Sequence, residues 1–474
     1  MVSNQSAAFA QSKRAYIIAP AGCGKTEFIA LAVMDGNKGR ELILTHTHAG
    51  VKALRDRMGK YAVPKARYRV DTIASWALAY AAHYPGLSGL SDDHPVGEAW
   101  GVVYEASRRV LQSRALHRVL RETYSGIYVD EYQDCTKDQH QLVMMLANLL
   151  PVRIVGDPLQ GIFDFGGQKI VDWAIDIKPY FERFPDLTIP WRWERCNPVL
   201  GKWLLEFRSA LLNGYPVDLT SAPLKWHKPD ETVQRKVCFE LARGNSGSAV
   251  AIHNWPDRCH TFARGLKGTF TSMEEMDCHD LIDWAKKIGD VRGSLRAARI
   301  IEFASMCMTV VSTELAALRK KLMQGSAPEI KHAKKYPDVV RALGEVVENE
   351  SLAPVSSALR AIGSIPGRVL YRRELWREMA RSLDLFQINI GDTLQEAAWH
   401  ARNRTRNAGR RVELRTVSRT LLIKGLEFDH AVVLDAESLN AKNLYVAMTR
   451  GSRSLTVFSG KPVLQVSTPA GLGV

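Results

Sequence analysis

One segment near the start of the chain limits what it can fold into more than any other. The apolar run Ala15-Tyr-Ile-Ile-Ala19 passes directly into Pro20-Ala-Gly-Cys-Gly-Lys-Thr26, and then into a helix-forming stretch, Glu27 to Met34. A short apolar run bounded by a turn reads as a buried strand. A strand that enters a helix through a glycine-rich turn leaves unpaired backbone N–H groups at the helix start, and these attract anions. Ala19 to Thr26 fits the pattern Ala/Gly-x-x-x-x-Gly-Lys-Thr. Glycines let the backbone curl around phosphates, the lysine reaches the terminal oxygens, and the Thr hydroxyl ligates Mg²⁺. The candidate phosphate-binding residues are therefore Ala19, Pro20, Ala21, Gly22, Cys23, Gly24, Lys25 and Thr26. Cys23 reads as a small filler rather than a nucleophile. A chance glycine-rich turn would lack the strand, the Lys-Thr pair and the helix together.

Further short apolar runs follow at Glu41–Thr45, Gly126–Asp130 and Val152–Asp157, the last two ending on acids, with a helical stretch at Val51–Met58. Strands alternating with helices predict a parallel sheet with helices on both faces. Ligands in such sheets bind beyond the carboxyl ends of the strands, where these acids fall. Residues 73–120 are rich in Ala, Leu and Arg and predict a helical insertion. A second set of strands is expected at Ala249–His253, Val412–Val417, His430–Leu434 and Leu455–Phe458. The expected class is α/β, with two parallel-sheet domains and helical insertions. The expected boundaries are 1–185 (insert at about 73–120), then 186–265 joined with 412–474, with 266–411 as a helical insertion splitting the second domain.

The composition is that of a globular protein, with 46% apolar and 24% charged residues among 474. Lys and Arg number 64 against 50 acids, a net charge of +14. A chain this basic is expected to meet a polyanion. No segment approaches the ~18 apolar residues of a membrane span, and Met1–Arg14 lacks the hydrophobic stretch of a signal peptide. The 7 cysteines form no CxxC pair, so neither a zinc site nor a disulfide framework is expected. The expectation is a reduced, cytoplasmic protein without a membrane partner.

Asp130 and Glu131 end a strand 105 residues beyond Lys25 (130 − 25). Such a pair suits Mg²⁺ retention by Asp130, together with Thr26, and polarisation of an attacking water by Glu131. The full string Asp130-Glu-Tyr-Gln-Asp134 resembles motif II of the UvrD/Rep/PcrA helicases of superfamily 1. Further islands are similar to that family's motifs in order: Val155-Gly-Asp-Pro-Leu-Gln160-Gly-Ile-Phe163-Asp-Phe165, Leu187-Thr-Ile-Pro-Trp191-Arg192, Lys424-Gly-Leu-Glu427-Phe428 and Leu444-Tyr-Val-Ala-Met-Thr-Arg450. The resemblance spans roughly residues 5–459 and is strong only at these islands. It implies two RecA-like domains that close on Mg·ATP, with ATP-driven 3′ to 5′ movement on DNA. It implies that Gln160 contacts the γ-phosphate or its water and that Arg192 and Arg450 act as arginine fingers from the second domain. Trp191 then takes the place of the aromatic that stacks on the base, Glu427 faces the ribose, and Gln5, with Gln11 as a rival, reads adenine. Taken singly, Arg192 could be a surface residue and Arg450 a helix cap.

The resemblance also implies a single-stranded or partly duplex DNA partner, contacted by His46 and Thr47, by Thr72, and by stacking on Phe163 and Phe165. The two phenylalanines stand equally well as core residues at strand spacing. Arg402, Arg404, Arg406, Arg410, Arg411, Arg415 and Arg419 form a run opposed in sequence only by Glu413, read as a phosphate or partner track or as a solvated face. The chain departs from the family at Glu27, where an Arg often follows Lys-Thr, at Gly166 and at Leu421. These departures keep the hydrolytic residues and erode base and DNA contacts. Its size and motif style are similar to the helicase-like subunit of Gabija antiviral systems, which implies an OLD-like nuclease partner. Two functional classes follow: an ATP-dependent translocase, or a nucleotide-gated subunit that controls a nuclease without processive unwinding.

Overall fold

The computed structural model describes residues 2–36, 38–90, 99–163, 169–244, 247–275, 278–326, 335–408 and 410–465. They form two compact units. The first comprises Met1–Trp226, Leu439–Ser454 and Lys461–Val474, and the second His227–Ser438 and Leu455–Gly460.

The first unit is built on β1 (Arg14–Ile18), β2 (Glu41–Thr45), β3 (Tyr68–Thr72), β4 (Gly126–Val129), β5 (Val152–Gly156) and β6 (Glu182–Arg183), in the order β3-β2-β4-β5-β1-β6. The pairs β1–β5, β1–β6, β2–β3, β2–β4 and β4–β5 are all parallel. Alternate side chains feed two cores, as the two-residue period of a strand requires. Tyr16, Leu42, Leu44, Ile127, Val129 and Ile154 face one layer with Trp76 and Leu142. Ala15, Ile17, Ile43, Tyr128 and Val155 face the other with Phe9, Phe28, Ile29 and Leu54. The expected helical insertion is present as Ile73–His83, Pro85–Ser88, Ala99–Leu111 and Arg114–Thr123. β7 (Val217–Asp218) pairs antiparallel with β14 (Val463–Leu464).

The second sheet has the order β10-β11-β9-β12-β13-β8, from β8 (Lys225–His227), β9 (Ala249–Ile252), β10 (Thr271–Ser272), β11 (Arg415–Ser418), β12 (Phe428–Val433) and β13 (Gly451–Phe458). β10–β11, β11–β9 and β9–β12 are parallel. Between β10 and β11 lies a run of helices, from His279–Gly289 to Leu394–Ala408, with its own core around Ile300, Phe303, Leu343, Val355, Leu375 and Met379. The α/β class, with parallel sheets flanked by helices and helical insertions, is thus the one expected.

Residues 186–226 and Leu439–Ser454 fall within the first unit, although β8 and the start of β13 belong by pairing to the second sheet. Leu187 and Leu205 join the first unit's core, and Trp193 is buried with its indole N–H on the Gly451 carbonyl at 2.8 Å. One finding departs from the sequence reading: three members of the arginine run, Arg402, Arg410 and Arg419, are paired with acids inside the second unit. Arg402 is 1% exposed and donates to Glu374 at 2.8 Å and to the Glu275 carbonyl. Arg410 bonds Glu374 at 3.1 Å, and Arg419 pairs with Glu275. These acids lie far off in sequence, so a local charge count missed them. Arg404 and Arg411 are exposed.

Candidate phosphate-binding site

The turn after β1 has the conformation that its glycines permit. Gly22 and Gly24 have φ of 72° and 82°, in the left-handed region that side chains disfavour. A Cβ on Gly22 would lie 2.4 Å from the Trp193 ring. The Ala19 N–H donates to the Gly156 carbonyl at 2.9 Å, fixing the turn to the end of β5. The helix Lys25–Asp35 begins at Gly24 with no side-chain cap. Its first amides are therefore left to an anion. Cys23 is buried, and its thiol is pushed up to about 12 by burial and then by Asp157, which agrees with a filler role.

The acids after β4 and β5 meet this turn. Lys25 Nζ lies 2.9 Å from Glu131 Oε2. Burial disfavours the ammonium, but Glu131, Asp130 and Asp157 outweigh it and hold Lys25 above its ordinary range. Glu131 has φ 54°, a strained setting for a non-glycine residue and a frequent mark of functional positions. Gln133 Nε2 donates to Glu131 Oε2, and Gln133 Oε1 accepts the Asp157 N–H at 2.9 Å. Gln160 Nε2 donates to Asp157 Oδ2 at 2.9 Å, and Arg208 Nη2 donates to Asp157 Oδ1 at 2.9 Å. One hydrogen-bonded chain therefore links Lys25, Glu131, Gln133, Asp157, Gln160 and Arg208. Asp130 is buried and pushed up to about 7, by desolvation first and by Glu131 second. A buried carboxylate under such repulsion, with the Thr26 hydroxyl among the candidate donors, fits an oxygen-loving divalent cation.

Arg192 and Arg450 both lie in the unit that carries Lys25. The Arg192 N–H donates to the Gly22 carbonyl at 3.2 Å, which seats the short helix Trp191–Glu194 on the phosphate loop. The Arg192 guanidinium donates from Nη1 to the Thr449 carbonyl at 2.6 Å and lies over the Trp193 ring at 5.3 Å. Arg450 is 1% exposed, with Nε on the Val446 carbonyl at 2.8 Å and Nη2 on Thr449 Oγ1 at 2.9 Å. Both guanidinium groups therefore rest on Thr449, at the end of the helix Ala441–Met448. Trp191 is half exposed, and a Cβ on Gly24 would meet its Cδ1 at 3.1 Å. Its ring lies beside the loop.

The remaining candidates are more dispersed. Gln5, on the helix Val2–Gln11, donates to the Pro185 carbonyl at 2.6 Å. Glu427 is exposed in the second unit, just ahead of β12. His46 is half-buried with Nε2 at 3.5 Å from Cys135 Sγ. Thr47 is exposed and caps the helix His48–Lys60, whereas Thr72 is buried and caps Ile73–His83. Phe163 is half-buried, and Phe165 lies outside the described residues. Glu27 is held by Arg57 and Lys60 and accepts from the Tyr61 hydroxyl. Sequence reasoning missed Gln133, Asp157, Arg208 and Tyr445 as site residues. The first two and Tyr445 lay inside motifs already marked. Arg208 sits in an ordinary amphipathic helix and carried no signal.

Residues 4–166, about a third of the chain, match the family described as AAA domain. No curated protein matches the sequence. Among solved structures, the chain is similar to the PRRSV helicase at 11% identity and a TM-score of 0.33, covering 96% of this chain and 54% of that one. It is also similar to the arterivirus nonstructural protein 10 helicase, alone (11% identity, 96% and 61% coverage, TM-score 0.30). The complex of that helicase with DNA gives 14% identity, 53% and 49% coverage and a TM-score of 0.27. The chain thus spans between 49% and 61% of the length of these viral proteins.

Proposed function

We propose that this chain is an ATP-hydrolysing motor of the superfamily 1 helicase type, acting on single-stranded or partly duplex DNA. The observation that carries the reading is the hydrogen-bonded chain from Lys25 through Glu131 and Gln133 to Asp157, Gln160 and Arg208, set beside an uncapped helix start. Phosphoryl transfer is catalysed mainly by positioning and charge neutralisation. Lys25, now paired with Glu131, would turn to the phosphates, and this frees the Glu131 carboxylate to orient and deprotonate water. Gln160, held by Asp157, would orient that water. Arg192 and Arg450 would exchange Thr449 for the developing charge. Bound by Thr26 and Asp130, Mg²⁺ would supply further charge neutralisation at the terminal phosphates. Gln5, Trp191 and Glu427 are proposed for the nucleoside, and His46, Thr47, Thr72, Phe163 and Phe165 for the DNA. The UvrD-like subtype, 3′ to 5′ movement, and an antiphage role beside an OLD-like nuclease belong to the same proposal.

Turnover of Mg·ATP with and without single-stranded DNA tests it. Lys25→Ala should lower turnover by at least about a hundredfold, the scale of losing a main electrostatic contact; unchanged turnover would sink the site.

A second reading, a nucleotide-gated subunit that controls a nuclease without unwinding, is favoured by one observation. Arg402, Arg410 and Arg419 spend their charge on Glu374 and Glu275 rather than on solvent. Strand displacement by the isolated chain would rule that reading out.

A further inference from the structure

A buried phenol touches the phosphate loop. Tyr445 is 1% exposed on the helix Ala441–Met448. Its oxygen accepts the Ala21 N–H at 3.0 Å, across 424 residues of sequence. Burial holds its hydroxyl well above the ordinary phenol range, with Asp157 raising it further. The oxygen is therefore a neutral, fixed acceptor. One turn further along, Thr449 holds Arg192 on its carbonyl and Arg450 on its hydroxyl, at 2.6 and 2.9 Å. Residues four apart share a helix face, so one face touches the phosphate loop at Tyr445 and both arginines at Thr449.

We propose that Tyr445 is a positioning residue for nucleotide binding: by holding the Ala21 amide it presets the phosphate loop and keeps that loop in register with the helix end that carries Arg450. The proposal rests on the nucleotide reading above and deepens it. The loop contains Gly22 and Gly24 at positive φ, and glycine loses the most conformational freedom on ordering. An acceptor that orders the loop beforehand lowers the cost of binding. Tyr445 acts through the Ala21 amide, so its effect falls on affinity rather than on the chemical step.

Tyr445→Phe keeps the ring and its packing and removes the acceptor. Expected are a rise of about three- to tenfold in Kd for both Mg·ATP and Mg·ADP, the scale of one lost hydrogen bond. KM should rise by the same factor, with kcat close to wild type and the melting temperature little changed. A merely structural role would lower the melting temperature and the active fraction, and hence kcat, at constant KM; that result overturns the proposal. So does a variant whose Kd and KM match a nucleotide-binding wild type. A wild-type chain that binds no Mg·ATP, measured beside Lys25→Ala, would overturn both this role and the nucleotide site beneath it.

Discussion

At the scale of single residues, the proposed metal-holding role of Asp130 would set function against stability. Its carboxyl is raised from an ordinary 3.8 to about 7 by burial and by Glu131. A group whose folded pKa lies above its unfolded one stabilises fully below the unfolded value and loses that contribution as pH rises through the folded value. The metal-free chain should therefore lose stability between pH 4 and 7, and Mg²⁺ should restore it, binding more tightly as the proton leaves. Thermal melts across that range with and without Mg²⁺ check this; a melt in which added Mg²⁺ has the same effect at both ends would contradict it. Asp130→Asn should hold or raise the melting temperature, by about 2 °C, while abolishing turnover. A drop of several degrees would mean that the carboxylate stabilises the fold.

At the scale of elements, the helix Pro198–Asn213 supports the site without being part of any motif. Its Arg208 is nearly buried and meets the fully buried Asp157 at 2.9 Å. Removing one partner of such a pair leaves an uncompensated charge and costs roughly 3–5 kcal/mol. Arg208→Met should therefore destabilise strongly in chemical denaturation, and Asp157→Asn with Arg208→Met should cost less than the sum of the two single changes. Additive losses would mean that the two residues act separately. The strands and most helices were legible as elements because apolar runs of the right length sit between turns, as in Glu41–Thr45, observed with the expected bounds. Short edge strands such as β6 and β10, of 2 residues each, were not. Their pairing comes from neighbours rather than from their own pattern.

At the scale of the molecule, the net charge of +14 pointed to a polyanion, but the arrangement of the ions refines that expectation. With Arg402, Arg410 and Arg419 paired internally, the exposed members of the run among the described side chains are Arg404 and Arg411. If this face carries DNA, Arg404→Glu with Arg411→Glu should weaken single-strand binding about tenfold or more and flatten its salt dependence by about two phosphate contacts. Equal affinity and slope would move the DNA path elsewhere.

The sequence by itself determined the phosphate loop, the acids beyond the strands and the alternation of strand and helix. Each of these is local: a glycine at the turn, a lysine before a threonine, an apolar run of strand length. Only the tertiary structure decided that Arg192 and Arg450 share a unit with Lys25, that Tyr445 holds Ala21, that Arg208 holds Asp157, and that distant glutamates neutralise Arg402, Arg410 and Arg419. The reason is physical. Buried polar groups must find partners, and the chain finds them across hundreds of residues, where no spacing rule reaches.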